Sequence, residues 1–273
     1  MNTTLTPDQI ESYRTDGCLV FPNLLSGAEI DELLRSISDA LTAMGSAIVA
    51  GESNMNEAVR DDADSYYDGV FLQKVNLWKV SEGVKKVFLG PEMGKMVATL
   101  EGVEGMRIWH DQTLQKMAWG NPTAWHIDNP YWSFFSRHAI SIWIALDDAT
   151  VQNGCLYYIP GSHREARFEK NVGIGRDTGG LFKVYPEWSK TEPVVAEMKR
   201  GDCGFHNGLT AHGAGPNMTP RPRRAMTCGY MPDGSTYNGQ KNILPSAYID
   251  TLREGDLLRN DKQNPLVYSK VSE

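Results

Sequence analysis

The residues best suited to chemistry in this sequence are histidines and an aspartate in two separate segments. His126 and Asp128 stand two positions apart, and His206 and His212 follow much later in the chain. On a β-strand, residues i and i+2 point to the same face, so the first imidazole and the carboxylate can reach one metal ion. The pair alone is a weak signal, because a hydrogen-bonded histidine on a surface strand gives the same pattern.

A third ligand would make the pair a metal site. Two histidines and one carboxylate on one face of an octahedral ion leave the opposite positions open for a chelating co-substrate and O₂. His206 and His212 both fall in what we interpret as one β segment, so spacing alone does not choose between them. Zinc hydrolysis is the competing use of such ligands, but the sequence has no HExxH helix to accompany it.

A co-substrate that carries a second carboxylate also needs a cation, and the planar fork of arginine suits a carboxylate best. Arg221, Arg223 and Arg224 follow the last histidine. Neighbouring residues of a strand face opposite sides, so only one of Arg223 and Arg224 can point inward.

Several elements must position these residues, and those of the first hundred residues are predicted to be mainly helical. Thr6-Pro7-Asp8-Gln9 forms a capping box that starts a short helix to Tyr13, ended by the turn pair Asp16-Gly17. Residues 18–21 are apolar and predict a strand. A second capping box at 26–29 precedes apolar residues at helical spacing. Residues 50–68 are polar and acidic and predict a loop, and 82–100 predict a helix interrupted near Gly90-Pro91.

From about residue 105 the pattern changes to short β-rich runs at 106–109, 139–146, 156–159, 194–198 and 225–230, separated by Gly/Pro turns. This pattern predicts a mainly β fold with flanking helices, built as a sandwich or jelly-roll. We expect one domain over 1–273. Its parts would be a mostly helical N-terminal layer (1–104), a jelly-roll core (105–235) and a C-terminal extension (236–273).

The composition is that of an ordinary globular chain. It has 273 residues, 41% apolar and 22% charged, with a formal net charge of −7. This balance gives no electrostatic footprint for nucleic acid. No apolar run is long enough for a membrane span, and the N-terminus lacks the pattern of a signal peptide. The four cysteines are widely spaced, which favours reduced thiols and a cytoplasmic location.

An ordered series of segments carries a resemblance that covers nearly the whole chain. The sequence resembles the phytanoyl-CoA dioxygenase superfamily, within the iron(II)/2-oxoglutarate-dependent oxygenases. The segments are Leu5-Thr6-Pro7-Asp8-Gln9, Tyr13-x-x-Asp16-Gly17, Leu24-Leu25-Ser26, Trp109-His110-Asp111-Gln112, Trp125-His126-Ile127-Asp128, Trp143-Ile144-Ala145-Leu146-Asp147-Asp148, Asn153-Gly154-Cys155-Leu156, Ile159-Pro160-Gly161-Ser162-His163, His212-x-x-x-Pro216-Asn217 and Pro222-Arg223-Arg224-Ala225.

This resemblance implies a double-stranded β-helix (jelly-roll, cupin-like) core, Fe(II), O₂ and 2-oxoglutarate as co-substrate, with ascorbate as the reductant in vitro. Carried over position by position, it implies that the iron ligands are His126, Asp128 and His212. The residues that it implies around 2-oxoglutarate are Arg223, Trp143, Gln112 and Lys74. Ile127 departs from the polar residue that the family often has inside His-x-Asp.

The implied activity is hydroxylation of a C–H bond in a small organic molecule, with release of succinate and CO₂. Trp125, Asn129 and Tyr131 flank the ligands and are candidate substrate contacts. Desaturation, epoxidation or cyclisation with the same cofactor remain alternatives, because they depend on substrate placement. A second class, a non-catalytic metal- or ligand-binding jelly-roll protein, would be expected to lack a ligand or the co-substrate arginine, and both are present.

Overall fold

A computed structural model of the chain describes residues 1–44 and 73–270. The expected loop at 50–68 lies outside the described residues. The helices of the described part are α1 (Pro7–Asp16), α2 (Gly27–Met44), α3 (Glu82–Phe88), α4 (Pro91–Glu101), α5 (Ser162–Glu165), α6 (Gly180–Val184) and α7 (Ser246–Ile249). Short 3₁₀ turns lie at Leu77–Lys79, Asn129–Tyr131, Val151–Asn153 and Pro186–Lys190.

Two antiparallel sheets form the centre of the fold. Their strands are β1 (Cys18–Phe21), β2 (Gly105–Lys116), β3 (Thr123–His126), β4 (Ile140–Ala145), β5 (Leu156–Tyr158), β6 (Val194–Ala196), β7 (Cys203–Asn207), β8 (His212–Ala214), β9 (Arg223–Pro232) and β10 (Leu266–Ser269). The six-stranded sheet has the order β1-β7-β4-β9-β2-β10, and the four-stranded sheet has the order β3-β8-β5-β6. The predicted mainly β fold with flanking helices is confirmed.

Local signals set the N-terminal helices. The Thr6 hydroxyl accepts from the Gln9 amide at 3.2 Å and the Gln9 side chain accepts from the Thr6 amide at 2.9 Å, which is the predicted capping box. Gly17 then ends α1 with φ +75°, a conformation that glycine adopts without strain. The second predicted break is also present, since α3 ends at Phe88 and α4 begins at Pro91.

The helical layer packs on the six-stranded sheet through a large apolar cluster. Buried residues of α2, α3 and α4, such as Leu33, Phe88 and Val97, share it with Ile142 and Phe205 of the sheet. The N-terminal segment is not only helical, because β1 forms one edge of this sheet and β10 from the C-terminal segment forms the other. Among the described residues, no helix has the length and apolar character needed to span a bilayer.

The interpretation of His206 and His212 as part of one β segment was wrong. His206 belongs to β7 of the six-stranded sheet, and His212 begins β8 of the four-stranded sheet. Between them the Thr210 amide donates to the Asn207 carbonyl at 2.8 Å, and the Asn207 side chain accepts from the Leu209 amide at 2.9 Å. This turn sends the chain from one sheet to the other, so the two imidazoles approach the interior from different sides.

Candidate active site

Two neighbouring strands of the four-stranded sheet bring two imidazoles together. In the β3–β8 pair, His126 lies directly opposite His212, and their ring centroids are 4.1 Å apart. Oδ1 of Asp128 lies 3.5 Å from Nε2 of His126 and 3.7 Å from Nε2 of His212. One ligand atom from each of the three residues lies within 4.8 Å of the others. The arrangement offers two nitrogens and one oxygen to a single point.

Backbone carbonyls fix which nitrogen of each ring faces this point. Nδ1 of His126 is 2.8 Å from the Ala124 carbonyl, and Nδ1 of His212 is 3.0 Å from the Thr210 carbonyl. A carbonyl oxygen only accepts, so each Nδ1 must carry a hydrogen, and in the neutral ring Nε2 then has the lone pair that a metal needs. Burial, together with the His126 and His206 rings, lowers the pKa of His212 well below its usual value, which favours the neutral ligand form.

Asp128 reaches the site by a turn and not by strand alternation, which corrects the geometric reason given for the His-x-Asp pair. β3 ends at His126, and Asp128 has φ −76° and ψ −50° at the start of the Asn129–Tyr131 turn. The residue between them, Ile127, is fully buried in an apolar cluster with Ile159 and Leu209. The unusual Ile127 is therefore a packing residue of that cluster.

The second oxygen of the Asp128 carboxylate is held by two side chains from the other sheet. Oδ2 accepts from the Ser141 hydroxyl at 3.0 Å and lies 3.2 Å from Nε2 of His206. Burial alone would raise the pKa of Asp128, but the imidazoles of His212, His126 and His206 outweigh it and hold this pKa well below its ordinary value. The carboxylate is thus ionised. Its Oδ2 contacts Ser141 and His206, and its Oδ1 is directed at the other two ligand atoms.

The sequence did not single out Ser141 or the contact of His206 with the carboxylate. The one signal for Ser141 is its phase, since it stands two residues before Trp143 in β4 and therefore faces the same side.

The two candidate arginines face opposite sides of β9, as strand alternation predicts. The Arg223 side chain is fully buried, and its guanidinium carbon lies 4.9 Å from the centre of the Trp143 ring. A guanidinium over an indole face is held by cation–π attraction, which leaves its edge for an anion. Arg224 points the other way and donates to both oxygens of Asp147, at 2.8 and 2.6 Å.

The segments that carry the other two predicted co-substrate residues, Gln112 and Lys74, are paired with each other. Gln112 of β2 pairs with Val75, and the Lys74 backbone exchanges hydrogen bonds with Thr113: Lys74 N–H to Oγ1 at 3.0 Å and Thr113 N–H to the Lys74 carbonyl at 2.9 Å. Within the described residues, Oε1 of Gln112 is buried without a hydrogen-bond partner. Gln112 lies opposite Thr227, and Thr227 lies opposite Trp143, so these side chains share the inner face of the sheet.

The three candidate substrate contacts have different surroundings. Trp125 packs on Phe182 of α6, with ring centroids 5.3 Å apart. Asn129 is fully buried, and its carboxamide donates to the Phe134 carbonyl at 3.1 Å and accepts from the Ser136 amide at 2.8 Å, which gives it a structural role in the loop. Tyr131 is half-buried and its hydroxyl donates to the Val172 carbonyl.

This donor set fits a divalent iron ion with a chelating co-substrate. Two neutral imidazole nitrogens and one carboxylate oxygen are the ligands of non-haem iron(II) oxygenases. A buried guanidinium on the inner face of the opposite sheet matches a dicarboxylate that would extend from the metal.

Comparison with known proteins identifies the family of the chain. The family model for phytanoyl-CoA dioxygenase (PhyH) matches residues 13–225. A methylphosphonate hydroxylase of Gimesia maris is 27% identical over 234 residues, which covers 84% of this chain and 82% of the relative.

Two solved structures are similar over nearly their full length. One is the non-haem α-ketoglutarate-dependent carbocyclase SnoK of nogalamycin biosynthesis, with TM-score 0.77, 26% identity and 96% of each chain covered. The other is the epimerase SnoN, in complex with Fe³⁺, α-ketoglutarate and nogalamycin RO. It has TM-score 0.71 and 25% identity, and 95% of this chain and 97% of that chain are covered. The chain belongs to the phytanoyl-CoA dioxygenase (PhyH) family of iron- and 2-oxoglutarate-dependent oxygenases.

Proposed function

We propose that this enzyme hydroxylates a C–H bond of a small organic molecule, with His126, Asp128 and His212 as its iron ligands. The observation that carries the proposal is the convergence of the two Nε2 atoms on Oδ1 of Asp128, at 3.5 and 3.7 Å. Bound Fe(II) and 2-oxoglutarate would supply the oxidising chemistry with O₂, releasing succinate and CO₂.

The protein's own part in this proposal is to bind and orient. Ser141 and His206 fix Oδ2 of Asp128, so that the carboxylate presents one oxygen to the metal. Arg223, stacked on Trp143, would receive the far carboxylate of 2-oxoglutarate. Gln112 and Lys74 are proposed as further co-substrate contacts, supported by the pairing of their segments on the same sheet.

The proposed substrate contacts lie next to the metal ligands in the chain. Tyr131 is half-buried and stands three residues after Asp128, and it is the proposed substrate contact that we would test first. Trp125 and Asn129 stay predictions. The similarity to a methylphosphonate hydroxylase supports hydroxylation of a small organic molecule.

Cyclisation is the second candidate function, and one observation favours it. The carbocyclase SnoK covers 96% of this chain at 26% identity. Cyclisation, desaturation and hydroxylation all begin with removal of hydrogen from carbon, and they differ in how the substrate radical is held, so one site of this kind serves each of them.

We further propose that 1–273 is one domain with jelly-roll strand order in its core, and that it works in the cytoplasm. The unit is supported by β1 and β10, which add strands from both chain ends to the same sheet. The location is supported by four cysteines that are all buried and free of disulfides.

The test is turnover of 2-oxoglutarate with candidate substrates. Purified protein would be incubated with Fe(II), ascorbate, air and carboxyl-labelled 2-oxoglutarate, and labelled CO₂ and succinate would be measured with and without each small molecule. A true substrate should raise CO₂ release and yield a product that gains one oxygen atom from ¹⁸O₂. A product that loses two hydrogens without gaining oxygen would replace hydroxylation with cyclisation or desaturation.

The matched controls are Asp128→Ala, which should abolish release, and Arg224→Met, which should not, because Arg224 faces outward. Failure of the wild-type protein to bind both Fe(II) and 2-oxoglutarate would contradict the enzyme proposal altogether.

A further inference from the structure

A second buried cation lies beside the proposed 2-oxoglutarate arginine. Lys116, the last residue of β2, has no exposed surface, although lysine is almost never fully buried unless it is paired. Its direct partner across the β2–β9 ladder is Arg223. Side chains at directly opposed positions point to the same face, with Cβ atoms about 4.5–5.5 Å apart. Two positive side chains therefore enter the interior together.

The Lys116 ammonium crosses from one sheet to the other. Nζ donates to the Asn121 carbonyl at 2.7 Å and lies 3.4 Å from the hydroxyl of Thr123, the first residue of the strand that ends in His126. Gly154 makes room for its stem, because a Cβ there would lie 2.9 Å from Cδ of Lys116. These contacts hold the ammonium against Asn121 and Thr123, in the chain segment that leads to the metal ligands.

The guanidinium of Arg223, from the neighbouring strand β9, enters the same space between the sheets. Arg223 extends along the sheet to Trp143, whose row of strand partners contains Gln112. Both side chains consequently point into the space between the two sheets, the ammonium against Asn121 and Thr123 and the guanidinium against Trp143.

Placing like charges opposite each other in a buried position is unfavourable. Burial and the charge of Arg223 lower the pKa of Lys116 to about 7, and burial lowers that of Arg223 to about 10. An anion bound between the two groups offsets this cost and restores full protonation of the lysine.

We infer that Lys116 is a second cationic contact for the distal carboxylate of 2-oxoglutarate, acting together with Arg223. This inference rests on the proposed function and assigns the carboxylate two donors from two strands. The inference also makes Lys116 a determinant of co-substrate choice, because a 2-oxo acid without a distal carboxylate has no anionic group to pair with its ammonium.

The experiment compares two ligands that differ only at that end. 2-Oxoglutarate and 2-oxopentanoate share the chelating 2-oxo acid, and the second carries a methyl group in place of the distal carboxylate. Binding of each to protein loaded with Mn(II), without oxygen, would be measured by calorimetry for the wild type, Lys116→Met and Lys116→Gln. The glutamine variant keeps a polar group near the Asn121 carbonyl and is used if the methionine variant does not fold.

The expected result is a loss of 2-oxoglutarate affinity of about ten- to a hundredfold, the size of a charge-assisted hydrogen bond, with 2-oxopentanoate affinity changed less than about twofold. Equal losses for both ligands, or none, would overturn the inference and leave Lys116 as a support for the loop at Asn121. A wild-type protein that does not prefer 2-oxoglutarate would instead refute the proposed function, so the two failures are distinct.

Discussion

At the scale of single residues, the two oxygens of Asp128 have different tasks. Oδ1 faces the imidazoles of His126 and His212, while Oδ2 is held by Ser141 and His206. A carboxylate whose outer oxygen is fixed loses little freedom when its inner oxygen binds a metal, which is why partners of this kind raise metal affinity.

Substitutions around Asp128 should distinguish the metal ligands from the side chains that only hold the Asp128 carboxylate in place. His212→Ala should abolish Fe(II) binding, because it removes one of three donors. His206→Ala and Ser141→Ala should weaken binding by only about ten- to a hundredfold, since each removes one partner of Oδ2. Equilibrium titration with Fe(II) under nitrogen measures all three. Equal losses in the two histidine variants would show that His206 is itself a ligand.

The Arg223 and Arg224 pair offers a matched control within one strand. Arg223→Met should raise the Kd for 2-oxoglutarate by about ten- to a hundredfold, because a buried charge-assisted contact is lost. Arg224→Met should leave that Kd unchanged, because its side chain is 43% exposed and bonded to Asp147 outside the site. Calorimetry on metal-loaded protein measures both. Weaker 2-oxoglutarate binding in the Arg224 variant alone would reverse the assignment.

At the scale of elements, Asp111 anchors the segment that carries Lys74. Its carboxylate is fully buried and accepts the amide hydrogens of Leu77 and Trp78, each at 2.8 Å, and its carbonyl accepts from the Asn76 amide at 2.8 Å. These three bonds hold residues 76–78 against β2. The backbone of Lys74 is thereby kept against Thr113, the residue after Gln112 in β2.

Loss of the Asp111 carboxylate should lower the stability of the folded protein. Asp111→Ala leaves two buried amide groups without an acceptor, so the free energy of unfolding should fall by about 2–5 kcal/mol. Asp111→Asn keeps one acceptor oxygen and should lose less. Urea unfolding of both variants tests this order. An alanine variant as stable as the wild type would mean that the 76–78 segment does not depend on Asp111.

Local elements were predictable because their partners lie close in sequence. The capping box that joins Thr6 to Gln9 spans three residues, and the break before Pro91 needs only the proline itself. The contact of His206 with Asp128 joins residues 78 apart, and the register that places His206 opposite Ser141 brings both side chains to the same carboxylate oxygen. No local pattern specifies such a register. For the same reason, the spacing of the histidines did not choose between His206 and His212, and the prediction of His212 came from the family resemblance.

At the scale of the whole molecule, the site joins the two sheets. His126 and His212 come from the four-stranded sheet, whereas Trp143, Arg223 and Lys116 come from the six-stranded sheet. A dicarboxylate that chelates a metal on one sheet and binds cations on the other would therefore connect both halves of the fold. Binding at this place is coupled to the stability of the whole chain.

This coupling predicts a specific order of thermal stabilisation by Mn(II) and 2-oxoglutarate. The metal alone should raise Tm, and 2-oxoglutarate should raise it further only when the metal is present, because its chelating end has no partner without one. At a hundred times Kd the added stability is about 2.7 kcal/mol, which corresponds to about 5–10 °C in a chain of this size. Arg223→Met should keep the metal step and lose most of the 2-oxoglutarate step, whereas Asp128→Ala should lose both. Differential scanning calorimetry measures these steps. If 2-oxoglutarate stabilised the metal-free chain as strongly as the metal-loaded one, the two ligands would occupy separate sites. The proposal that 2-oxoglutarate connects the metal on one sheet with the cations on the other would then be wrong.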